Sequence, residues 1–231
     1  VLAELCAQGS AVYAYRSSEY VKDVGTPKRM AEALGEIKDG YMEARNLHRK
    51  QKAIFFDGGS IWNAIRGLEY CSEEVELEES VARAVRMINK SEFLVIIVVS
   101  QSYFFNELCS LQKIKRIYRK MEMLLGKSGA YVDDIFFCSK NSNKETPLED
   151  SVCKVDFQYQ KLKPLEESVK KYNIDMKKSW IVGNTMQDMQ MGKDVGIKIA
   201  YVKQGVGVDK VIPDWEGENI LSAVQQILKV Y

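Results

Sequence analysis

Residues 52–63 read Lys-Ala-Ile-Phe-Phe-Asp-Gly-Gly-Ser-Ile-Trp-Asn, an apolar run that ends on Asp57 and passes directly into two glycines and a serine. A short apolar run bounded by glycine reads as a strand buried on both faces of a parallel sheet. In such sheets ligands bind just beyond the carboxyl ends of the strands, so Asp57 stands where chemistry is expected.

Working outward, apolar runs at Phe93–Val99, 132–137, 179–182 and 198–202 alternate with helical patterns at 77–90, 104–125, 164–172, 185–194 and 219–230. Strands alternating with helices imply an α/β fold, a parallel sheet with helices on both faces. Upstream, Val12–Tyr15 reads as a short strand and Asp23-Val24-Gly25 as a turn. Thr26-Pro27 reads as the cap and first position of a helix that breaks near Gly40. The expected division is an N-terminal strand-turn-helix extension over 1–49 and a domain over 50–231. His48, the only histidine, lies on a charged stretch and reads as solvated.

Composition excludes several classes. The 231 residues carry 33 Lys+Arg against 32 Asp+Glu, with no basic stripe interleaved with aromatics, so nucleic acid is not an expected partner. The apolar stretch 93–99 is too short to span a bilayer, and no membrane association is expected. Five cysteines, an odd number at irregular spacing, read as reduced thiols of a soluble cytoplasmic protein.

The stretch 52–63 resembles the first motif of the haloacid dehalogenase (HAD) superfamily phosphatases, most of all the capless branch with heptose bisphosphate phosphatase and histidinol phosphatase. That motif is D-x-D-G. The resemblance implies a HAD-like Rossmannoid sheet without a large cap, Asp57 as nucleophile and metal ligand, and the carbonyl of Gly59 as a further ligand. Gly59 stands where the family has its general acid, and Ser60 where it has glycine.

The run VIIVVSQSY resembles the branch's V-V-T-N-Q-S-G. Direct alignment puts Val99 on the phosphate-binding threonine and Ser100 on the asparagine, while Gln101 and Ser102 match as substrate-binding positions. Counting back from Ile174-Asp175-Met176 places Tyr159 on the family's lysine; Lys163, before Pro164, and Lys161 are the alternatives. WIVGNTMQDMQMGKDVGIK resembles V-G-D-x-x-x-D-M-x-A-A-x-x-A-G. Asp188 is retained there, and Asn184 replaces a metal-binding aspartate. With carboxylates missing at Gly59 and Asn184, Mg²⁺ is expected to be held weakly. Cys138 and Cys153 match parts of the branch's zinc loop, but no histidine or third cysteine accompanies them, so no zinc is expected.

Residues 1–27 are similar to the end of the catalytic domain of sugar-1-phosphate nucleotidyltransferases, where a Y/W-x-D-x-G-T-P segment closes the sugar pocket. The resemblance implies a metal-holding role for Asp23 and a nucleotidyltransferase domain as partner. The leading expectation is a degenerate sugar bisphosphate phosphatase domain, inactive or feeble, whose partner molecule is a phosphorylated sugar. One alternative is an active enzyme in which Ser60 or Ser100 supplies the lost hydroxyl and Lys163 the lysine. The other is a homo-oligomerisation module built on the 104–125 helix.

Overall fold

The computed structural model describes residues 2–13, 17–58, 65–66, 76–99, 111–137, 157–203 and 211–230. Strand β1 (Lys52–Asp57) pairs in parallel with β4 (Phe93–Val99) on one side and β6 (Trp180–Gly183) on the other. Outside them lie β5 (Asp134–Phe137), β7 (Lys198–Val202) and β8 (Trp215–Gly217). The order across the sheet is β5-β4-β1-β6-β7-β8, and every pairing is parallel. The remaining strands, β2 (Ile65–Arg66) and β3 (Glu76–Leu77), form a separate antiparallel pair that follows Asp57 in the chain.

Both faces of β1 are apolar because both are covered. Ile54 and Phe56 point to a core completed by three helices: α4 (Glu79–Asn89), α5 (Leu111–Lys127) and α8 (Ile220–Lys229). Ala53 and Phe55 point to a second core, shared with α6 (Phe157–Tyr172) and α7 (Met186–Val195). Ile54, Phe55 and Phe56 are fully buried, each stabilising the fold by about 1.5–3 kcal/mol. After Lys52 at its amino end, the strand's next polar side chain falls at the carboxyl edge of the sheet, and it is Asp57.

Several elements depart from their expected bounds. Residues 12 and 13 form no strand, and 14–16 lie outside the described residues; a strand needs a ladder partner, and none is present among the described residues. A short helix, α1 (Leu2–Ala7), stands upstream instead. Helix α5 runs through Gly126 and turns at Gly129, whose φ of 69° suits a helix end; of its expected extent, 104–110 lies outside the described residues. Helix α6 begins seven residues before Pro164, which sits inside it. Strand β8 was not expected, because three residues with a single aromatic carry too little pattern. The capped start at Thr26 agrees with expectation: its side chain accepts from Arg29 N at the head of α2 (Pro27–Lys38). The break also agrees, with Gly40 at φ 78° before α3 (Tyr41–Ala44).

The N-terminal stretch is tied to the sheet by a buried ion pair. Arg45 Nη1 donates to Asp133 Oδ1 at 2.6 Å, with both side chains about as buried as the core. Asp133 Oδ2 accepts from the backbone of Val95, at the start of β4. Burial pushes the Asp133 carboxyl up against the pull of the Arg45 guanidinium. Tyr41 stacks beneath Arg45 and donates to Asn89 O. Gln51 continues the tie, exchanging backbone bonds with Asn173 and Asp175 just before β6. Removing one partner of a buried pair leaves the other charge uncompensated. Arg45→Ala is therefore expected to cost about 3–5 kcal/mol in urea denaturation. Arg49→Ala, which breaks the exposed pair with Glu43, is expected to cost no more than about 1 kcal/mol. Equal effects would contradict the assignment of the buried pair as the anchor.

Candidate functional site

Asp57 is the last residue of β1, level with Val98 on β4 and one residue beyond the Phe56–Val182 pair with β6. By strand alternation it belongs with Ala53 and Phe55, on the side of the sheet that α7 covers. It is 2% exposed. The end of β6 and the start of α7 therefore lie beside it, and they carry Asn184 and Asp188.

Thr185 caps α7, accepting from Asp188 N at 3.2 Å. Asp188 reciprocates. Its Oδ2 accepts from Thr185 Oγ1 at 2.7 Å, from Thr185 N at 3.1 Å and from Asn184 N at 3.3 Å. This is a capping box with an aspartate in the third helical position, and the carboxylate also suits the positive end of the helix dipole. Asp188 is fully buried. Gly183 is required by the same packing, because a Cβ there would lie 2.5 Å from Asp188 Cβ.

One oxygen of Asp188 is thus committed to holding the loop. Asn184 is half-buried and offers an amide where the resemblance implies a carboxylate. A hard divalent cation prefers charged oxygen donors, so an amide and a buried, hydrogen-bonded aspartate beside a single strand-end aspartate fit Mg²⁺ poorly. No group of three or more His, Cys, Asp or Glu able to hold a metal occurs among the described residues.

The other expected site residues separate into two sets. Gly59, Ser60, Ser100, Gln101, Ser102, Cys138 and Cys153 lie outside the described residues. Lys163 is exposed on α6, next to the buried Pro164. Tyr159 and Lys161 belong to the same helix, and their side chains lie outside the described residues. Asp23 serves its own turn: Oδ1 accepts from Gly25 N, and Oδ2 pairs with Arg29. His48 is exposed, as expected.

The sequence reading missed Tyr118. It is 2% exposed on α5, with its ring edge-on to Phe137 at 5.3 Å, where β5 ends. Burial pushes its hydroxyl well above the usual range, and the charge of Asp57 adds to the shift. A neutral phenol therefore lies within the field of the strand-end carboxylate. Its spacing to Met121 and Leu125 was the available signal, but a tyrosine in an apolar stripe reads as core.

No family model matches the chain. Curated relatives do match. A D-glycero-D-manno-heptose-1,7-bisphosphate 7-phosphatase of Thermosynechococcus vestitus is 24% identical over 186 residues, covering 76% of this chain and 94% of the relative. The D-glycero-beta-D-manno-heptose-1,7-bisphosphate 7-phosphatase of Haemophilus ducreyi is 23% identical over 149 residues, covering 64% and 80%. Among solved structures, the D,D-heptose 1,7-bisphosphate phosphatase of B. bronchiseptica, complexed with magnesium and phosphate, superposes with a TM-score of 0.60 at 17% identity. The match covers 78% of this chain and all of that one. A HAD-like protein of Mesorhizobium loti gives 0.58 at 20% identity, covering 77% and 88%.

The chain has the HAD fold, and its relatives lie in the heptose bisphosphate phosphatase branch. Within that fold Asp57 occupies the carboxyl edge of the central strand, and the Gly183–Asp188 loop flanks it from β6. The HAD loop here is organised by capping. Thr185→Ala is expected to cost about 1 kcal/mol of stability and Gly183→Ala roughly 1–3 kcal/mol, both by chemical denaturation. A Gly183→Ala protein as stable as the parent would contradict the close packing of Asp188 under the loop.

Proposed function

We propose that residues 50–231 are a HAD-fold sugar bisphosphate phosphatase domain that has lost efficient turnover and retains the binding of a phosphorylated sugar. The observation that carries this reading is the state of the carboxylates beside β6. Asn184 replaces one carboxylate, and Asp188 spends an oxygen on three hydrogen bonds within its own loop. Asp57 is left as the carboxylate at the strand end, in the nucleophile position. Gly59 offers no proton for the leaving group, and loss of a general acid costs on the order of 10²–10⁴ in rate. Mg²⁺ on this reading is held weakly through Asp57 and Asn184. The resemblance assigns Ser60, Gln101 and Ser102 to substrate binding, and Ser100 and Lys163 stand nearest in sequence to the lost hydroxyl and lysine.

The reading extends to the N-terminal stretch. Residues 1–49 are proposed as the tail of a nucleotidyltransferase-like domain with its linking helix, from a polypeptide that makes a nucleotide-activated sugar in the cytoplasm. Support for this is the similarity of 1–27 alone. The second reading, an active Mg²⁺-dependent phosphatase, is favoured by the length of the similarity, which spans 94% of one relative.

Phosphate release separates the two. With Mg²⁺ and heptose 1,7-bisphosphate, the parent protein is expected to release no more phosphate than Asp57→Asn. A Gly59→Asp/Asn184→Asp variant is expected to gain roughly 10²-fold or more, since it restores an acid and a metal carboxylate. Parent turnover that disappears in Asp57→Asn would instead establish the active reading.

A further inference from the structure

The N-terminal stretch changes character at Gly40. Beyond it, residues 41–51 cross the amino edge of the sheet and bond to it repeatedly. Tyr41 Oη donates to Asn89 O, at the end of α4, at 3.1 Å. Arg45 reaches Asp133, one residue ahead of β5, and donates to Phe93 O, at the head of β4, at 3.4 Å. Asn173, ahead of β6, donates through Nδ2 to Leu47 O and Arg49 O, each at 3.1 Å. Its carbonyl accepts from Gln51 N at 3.0 Å, and Gln51 O accepts from Asp175 N at 2.8 Å. Asn173 holds this position at a φ of 50°, a left-handed conformation that asparagine tolerates. Leu47 packs against the core that contains Ala53 and Phe55.

The part before Gly40 is held differently. Among the described residues from 2 to 39 only Ser18 and Ala33 are buried, and α1 buries nothing. Nine large apolar side chains between Leu2 and Ile37 are exposed. The side-chain bonds of Tyr20, Lys22 and Arg29 stay inside this part, on Glu36 and Asp23. Across Gly40 the ring of Tyr20 meets Tyr41 edge-on at 5.9 Å. Gly40 itself has a φ of 78° and open space where a Cβ would stand, so no packed side chain fixes the turn. A stretch that buries so little opens locally at small cost in free energy. A segment fixed by a buried ion pair opens only with the strands that it joins.

We infer that the folding unit of the sheet begins at Tyr41, with residues 41–51 as a strap locked across its amino edge, and that residues 2–39 open from it independently about Gly40. The boundary between the N-terminal part and the sheet then falls at residue 40 instead of 50. The strap and Asp57 stand at opposite ends of β1, roughly 20 Å apart for a six-residue strand. Opening at Gly40 therefore leaves the strand end at Asp57 undisturbed. The inference does not depend on the phosphatase reading.

Native-state hydrogen exchange of the full chain, read by mass spectrometry of its peptides, tests it. Peptides covering 41–51 are expected to exchange as slowly as those covering β1, and peptides covering 27–39 at least about a hundredfold faster. Arg45→Ala is expected to speed 41–51 and β1 by one common factor, on the order of a hundredfold or more, and to leave 27–39 unchanged. Asn173→Gly is the milder variant: it keeps the left-handed backbone, removes the two side-chain bonds, and is expected to speed the same two segments together about tenfold. Exchange of 27–39 as slow as that of β1 overturns the hinge. Exchange of 41–51 as fast as that of 27–39, or accelerated in Asn173→Gly without β1, overturns the strap and returns the boundary to residue 50.

Discussion

The burial of β1 on both faces is the constraint from which the rest of the structure follows. A strand whose side chains alternate between two apolar cores tolerates a polar residue only where the cores end. Asp57 is that residue, and parallel pairing with β4 and β6 brings the ends of those strands level with it. The chemistry of the site is therefore decided by what the neighbouring strands deliver at the same level. On the β6 side they deliver Gly183, Asn184 and a capping aspartate.

That loop shows how a motif can keep its shape while its charge changes. Gly183 and Asp188 are needed for packing, the one because a Cβ would strike the other and the second because it accepts three donors at the helix start. Asn184 meets the second demand through its backbone N–H, which donates to Asp188 whatever side chain stands there. Where stability and metal binding rest on different side chains of one motif, the second can fade without loss of the fold. This is why WIVGNTMQDM still reads clearly as a member of its motif although it has one carboxylate fewer.

Much of the fold was legible for a physical reason. Runs such as 53–56 and 93–99 are apolar throughout because both sheet faces are covered, and Thr26, Thr185 and Asn219 mark helix starts by the donors they satisfy. The misreadings occurred where local pattern competed with context. Pro164 resembles a helix start but lies inside α6, and Val12–Tyr15 has strand character without a ladder partner among the described residues at 12 and 13. Asp57, Asn184 and Asp188 were singled out as candidates from motif order, whereas the capping duty of Asp188 required coordinates. Tyr118 was hidden in an apolar stripe, and so was the buried tie of Arg45 to Asp133, since charge on a linking segment ordinarily means solvent.

The carboxylates left at the edge of β1 and β6 are proposed to hold a divalent cation only weakly. Titration calorimetry of the protein with Mg²⁺ measures this without reference to any substrate. The account predicts heats that grow in proportion to added Mg²⁺ without saturating, the same for the parent and for Asp57→Asn. A saturating, stoichiometric isotherm in the parent that is lost in Asp57→Asn would contradict it.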